Sequence, residues 1–145
     1  MSFEGSTLVD WAAFSRVRAE LGADFARILG YFREDGVKSV AAIEAAMREQ
    51  NAAAMVIPAH TLKGEAQQFG AMPLGMLAEQ IEFFARDCVE KRETPDAALE
   101  NVVALRPLFE ETLALLEREA NPLATRRPLG GGFGRRGQPG GFGRA

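Results

Sequence analysis

At 145 residues, 47% apolar and 26% charged, the chain has the size and composition of one soluble globular domain. Its single cysteine excludes an internal disulfide or a cysteine-rich metal site. The absence of both a run of about 18 apolar residues and a basic-then-apolar leader makes the cytoplasm the expected compartment. The net charge of −3 is uneven: residues 121–145 hold five arginines and no acid, so removing those five positives leaves residues 1–120 at −8. An acidic body argues against nucleic-acid binding by the folded part.

Apolar spacing is helical throughout residues 1–120, with no useful length of strand-like alternation. A short first helix is expected from about Leu8 to Leu21, with Trp11, Phe14 and Val17 facing the core and Gly22 near its end. A second begins near Ala23 and continues through Gly36 to about Gln50, because one interior glycine costs only about 1 kcal/mol. The third spans roughly Ala52 to Phe69 and stops at Gly70. Pro58 is either interior to it, removing one backbone hydrogen bond, or in the first turn of a helix starting near Met55.

A fourth helix runs from about Pro73 to Lys91, carrying Leu77, Ile81, Phe84 and Cys88 on one face, so Cys88 reads as a small core residue. Thr94 is the expected N-cap of the fifth. That helix uses Leu99, Val102, Val103, Leu105, Phe109, Leu113 and Leu116 and carries a kink or local break at Pro107. The predicted fold is all-α: an antiparallel up-down four-helix bundle over residues 1–120 with an additional short N-terminal helix. Residues 121–145 read as a disordered Gly/Arg-rich tail in which Gly-Gly-Phe-Gly-Arg occurs twice, at 131–135 and 140–144. Arg/Gly/Phe segments can also contact RNA or partners through stacking and charge.

The only histidine, His60, lies in the third helix. On an ideal helix advancing about 100° per residue, Leu62, Ala66 and Phe69 fall opposite it. Lys63, Gly64 and Gln67 fall around it. A lone histidine is ordinarily a structural or surface residue. This one points away from the core, with a lysine one turn on and a glycine beside it.

The chemistry open to the cluster is narrow. Metal binding needs several ligands, and the neighbouring ammonium of Lys63 repels a cation. Hydrolase chemistry lacks an accessible nucleophile with its base and orienting acid, and no phosphate-cradling glycine loop is present. What remains is an imidazole acting as a covalent nucleophile towards a group delivered by another protein. Phosphoryl transfer asks chiefly for positioning and charge neutralisation. Lys63 would then set an ammonium by the phosphoryl oxygens, Gly64 would leave room for the group and its donor, and Gln67 could add a hydrogen bond.

His60-Thr-Leu-Lys63-Gly64, followed by Phe69-Gly70-Ala71 and by Leu77-Ala-Glu-Gln-Ile81-Glu82, resembles the signature of histidine-containing phosphotransfer (HPt) domains. The resemblance extends over about residues 8–118. It implies that His60 is the phospho-accepting residue and that Lys63 and Gly64 match the family's phosphate-neighbouring lysine and clearance glycine. The implied function is a phosphorelay shuttle that takes a phosphoryl group from a receiver-domain phosphoaspartate, on Nε2 by family analogy, and passes it to another receiver. The partners would be response-regulator receiver domains and a separate or hybrid histidine kinase. No cofactor would be bound by this chain, Mg²⁺ being expected on the receiver. A monomer without autonomous kinase activity is expected, with no membrane partner. The alternatives are a receiver-binding module that sequesters without transferring, or a function carried by RNA or partner contacts of the tail. Two positions depart from the pattern: Glu65, where a small residue is usual, and Pro58, two residues before the histidine.

Overall fold

The computed structural model describes residues 7–121. The tail repeats lie outside them. The elements are α1 (Trp11–Leu21), a 3₁₀ turn (Gly22–Asp24), α2 (Phe25–Arg48), α3 (Ala52–Gln68), α4 (Met72–Lys91), a second 3₁₀ turn (Asp96–Ala98) and α5 (Leu99–Ala120). There is no strand among the described residues. The chain is all-helical, with the expected long helices plus a short leading one.

Local chemistry accounts for most of the boundaries. Asp10 caps α1, its Oδ1 accepting from the backbone N–H groups of Ala12 and Ala13 at 3.1 and 3.2 Å, so α1 begins later than Leu8. Leu8 and Val9 lie ahead of the helix as buried anchors. Asn51 caps α3 through Ala54 N–H at 3.1 Å. Since α3 starts at Ala52, Pro58 is interior, and its ring removes the bond to the carbonyl of Ala54.

Gly70 ends the α3 region with φ +79°. A Cβ there would lie 2.7 Å from the carbonyl oxygen of Asp10. The Asp10 N–H in turn donates to the Gly70 carbonyl at 2.7 Å, so this one glycine both turns the chain and docks the start of α1.

The core is a stack of rings. Trp11, Phe14, Phe25, Phe69, Phe32 and Phe109 follow one another at centroid distances of 5.2, 5.4, 5.9, 5.5 and 5.8 Å, mostly edge to face. α2 runs unbroken through Gly36, and the reason is steric. A Cβ at Gly36 would lie 2.3 Å from the Phe109 ring, so the glycine is where α2 admits an aromatic from α5. Eight residues on, Glu44 takes a two-point hydrogen bond from Arg106 at 3.0 and 2.8 Å. Arg106 holds the Glu44 carboxyl below the usual carboxylate range.

Four expectations for side chains are corrected. Trp11 is partly exposed, at the open end of the ring stack. Leu99 and Val103 belong to the apolar repeat of α5 yet are exposed, while Val102, Leu105, Leu108, Phe109, Leu113 and Leu116 are buried. Thr94 does not cap α5: its hydroxyl donates to Asp96 Oδ2 at 3.0 Å, and a 3₁₀ turn intervenes before Leu99. Pro107 sits inside α5, which is continuous through it, so of the expected kink or break the break does not form. Cys88 is buried, with its thiol donating to the Thr94 carbonyl at 3.6 Å.

Candidate functional site

α3 and α4 are joined by a tight turn through Gly70, and small residues line the seam between them. Ala66 and Ala78 are fully buried, and a Cβ on Gly75 would meet Gln67 Cγ at 3.0 Å and Ala66 Cβ at 3.7 Å. This close approach brings a carboxylate from α4 under the solvent face of α3.

That carboxylate is Glu82, with a side chain 2% exposed. Its Oε2 lies 3.0 Å from His60 Nδ1 and accepts from Arg86 Nε at 2.9 Å and Nη2 at 2.8 Å. Its Oε1 is 2.8 Å from Lys63 Nζ. Burial by itself would push the Glu82 carboxyl up. Hydrogen bonds from Lys63, Arg86 and His60, with the charge of Lys63, outweigh burial and hold it at about 2. The group is therefore a carboxylate throughout the neutral range.

This fixes the imidazole. A carboxylate can only accept, so the hydrogen on His60 is assigned to Nδ1, and the lone pair of the neutral ring is left on Nε2. The His60 side chain is 57% exposed. The arrangement is that of a held nucleophile: one ring nitrogen anchored inward, the other presented to solvent.

The other sequence candidates take distinct places. Lys63 is 16% exposed and committed inward, to Glu82 and to the face of the Phe83 ring at 5.2 Å from its centroid. Gly64 is exposed, and an added Cβ would meet nothing within 4 Å. Gln67 is exposed and stands against Gly75, and its side chain makes no hydrogen bond among the described residues. Glu65 is turned to the other flank of α3, towards Asp35 of α2. Among the described residues no group of three or more His, Cys, Asp or Glu side chains could hold a metal ion, and no helix is long and apolar enough to cross a membrane.

Glu82 and Arg86 are the site residues that the helical reading of α3 did not find, because they lie on another helix. A signal existed. Glu82 continues the Leu74–Ala78 stripe at four-residue spacing, and an acid in a buried stripe requires a partner.

The described site falls within a family match. The family model of the Hpt domain covers residues 27–120, which takes in α2 from Arg27 onward, α3 to α5 and every residue of the site. No curated protein matches the chain. Among solved structures, the crystal structure of histidine-containing phosphotransfer protein B (HptB) from Pseudomonas aeruginosa PAO1 is similar, with a TM-score of 0.70 and 20% identity, covering 81% of this chain and 97% of that one. At that identity the likeness concerns the fold. With about two thirds of its length matched by the family model, the chain belongs to the Hpt domain family and acts in histidine phosphotransfer within a phosphorelay.

Proposed function

We propose that His60 accepts a phosphoryl group on Nε2 from the phosphoaspartate of a receiver domain and returns it to the aspartate of another. The observation that carries this reading is the pairing of a solvent-facing imidazole with a buried, ionised Glu82 on its inner nitrogen. In the forward step the Nε2 lone pair forms the N–P bond while the P–O bond to the aspartate breaks, releasing a carboxylate. The Nδ1 hydrogen stays in place, so the product ring carries a positive charge next to Glu82, which stabilises it. No proton has to leave the site during the transfer. Lys63 and Arg86 keep Glu82 ionised and in register. Gly64 leaves the approach open.

The surroundings suit a protein donor. Ile57, one turn before His60, is 69% exposed, and Met72, Met76 and Phe83 are exposed apolar residues on α4. Such a cluster beside a charged centre is a reasonable landing surface for a partner. Mg²⁺ belongs to the receiver in this scheme, no cofactor is held by this chain, and the chain works as a cytoplasmic monomer. The test is incubation with phosphorylated receivers of the source organism. The natural chain should acquire an acid-labile, base-stable label, and His60→Gln should acquire none. A label retained by His60→Gln contradicts the reading.

A further inference from the structure

We propose that Arg86 of α4 carries the cation that meets the transferring phosphoryl group, the part the sequence suggests for Lys63. The proposal rests on the transfer reading above and names a further residue in it.

A phosphoryl group brings about two negative charges, and its transfer needs a cation beside the moving oxygens. Lys63 is poorly placed to be that cation. Its Nζ lies 2.8 Å from Glu82 Oε1 and 5.2 Å from the centroid of the Phe83 ring, with the side chain 16% exposed. Moving it outward strips a buried carboxylate of a partner, which is costly.

Arg86 stands differently. Its Nε and Nη2 donate to Glu82 Oε2 at 2.9 and 2.8 Å, the same oxygen that His60 Nδ1 faces at 3.0 Å. One carboxylate oxygen therefore holds the guanidinium and the imidazole side by side. The edge formed by Nε and Nη2 is used on Glu82, while Nη1 has no partner among the described residues. The side chain is 53% exposed. Asp87, the next acid along α4, is occupied by Lys91 at 3.1 Å. Phe83, one turn before Arg86, is exposed in the apolar cluster beside His60. The open edge of the guanidinium thus belongs to the face that a donor approaches.

The planar fork suits this division. One edge stays on Glu82, and the other places N–H groups on the phosphoryl oxygens. Arg86 makes and breaks no covalent bond and keeps its protons throughout. As the N–P bond forms at Nε2 and the P–O bond of the aspartate breaks, it neutralises charge on the oxygens of the moving group. Glu82 tolerates the shared arginine because Lys63 and His60 stay on it.

The experiment uses the full chain as the natural protein, Arg86→Gln and Arg86→Lys. Two phosphoryl donors are compared: phosphorylated receivers, and phosphoramidate, a small donor with no protein surface. Glutamine keeps an N–H donor for Glu82 and loses the charge, whereas lysine keeps the charge and loses the fork. At saturating receiver Arg86→Gln should transfer about 10-fold more slowly, less than for a fully enclosed donor because this site is open to solvent. Arg86→Lys should recover part of that loss, and phosphoramidate should rank the three proteins in the same order. Imidazole ¹⁵N spectra of Arg86→Gln should still show the hydrogen on Nδ1, since Glu82 retains Lys63. An unchanged rate for Arg86→Gln would overturn the proposal. So would a loss confined to receivers, which puts Arg86 on the partner's surface instead. A loss accompanied by departure of the Nδ1 hydrogen would also overturn it, by making Arg86 only a support for Glu82. In each of these cases the natural chain is still labelled on His60; absence of that label overturns the transfer reading itself, and this proposal with it.

Discussion

The two flanks of α3 carry carboxyl groups with opposite fates. On the α4 flank, Glu82 is the more buried, yet three donors surround it and its carboxyl is held at about 2. On the α2 flank, Glu65 is only half-buried, yet its neighbour is another acid and its carboxyl is raised to about 7. Depth of burial does not decide which form a carboxyl takes here. The identity of the groups that share its burial does. α3 thereby sits over a fixed anion from α4 beneath His60 and carries, on its other flank, a carboxyl of its own that is raised towards neutrality.

The largest effect in that comparison belongs to Glu82→Gln. Removing the charge leaves a mostly buried Lys63 and an arginine without their anion, and it removes the group that faces the positive phosphoimidazole. A loss of about 2–3 kcal/mol in unfolding free energy is expected near neutral pH, with phosphotransfer slowed by about 10- to 100-fold, the usual scale for a positioning partner. The pH dependence adds a second check. Because the folded Glu82 value of about 2 lies below the unfolded 4.5, its contribution is complete above 4.5 and lost as pH falls through 2. Urea midpoints for Glu82→Gln should therefore be flatter than those of the natural protein in the acid range. Glu65→Gln alters the range between 4.5 and 7 instead. If both variants changed the same pH window, the contrast between the flanks would fail.

A smaller effect, of opposite sign for folding and function, is expected at Gly64. A Cβ there meets nothing in the free protein, and alanine is the better helix former, so Gly64→Ala should stabilise the fold by about 0.5–1 kcal/mol. The added methyl group stands on the approach to His60, so transfer from a receiver should slow. Thermal unfolding and transfer rates measured on one preparation separate the two. Unchanged transfer would remove Gly64 from the site.

The sequence was most informative where function depends on one helix. His60, Lys63 and Gly64 share a face of α3, and that periodicity survives folding because the other side of α3, Leu62 and Ala66, is fully buried. The continuity of α2 through Gly36 was legible, but its cause was not, because the Phe109 ring that requires the glycine lies 73 positions away. Glu82 was legible only as an acid in a signature, since its bond to His60 spans 22 residues and two helices. Lys63 points inward rather than standing free beside the imidazole, and helical angles alone do not distinguish these, because a lysine stem can lie along either side. Leu99 and Val103 read as core for a simpler reason: periodicity shows which residues share a face, but not how far the neighbouring helix covers it.

The central claim, that Glu82 holds Nδ1 so that chemistry occurs at Nε2, can be tested directly because the chain has a single histidine. Imidazole ¹⁵N spectra should be recorded before and after phosphorylation by a receiver. The account predicts a protonated Nδ1 and a bare Nε2 in the free protein, then ³¹P coupling at Nε2 with Nδ1 still protonated. Phosphorus bonded to Nδ1, or a free ring carrying its hydrogen on Nε2, would contradict it.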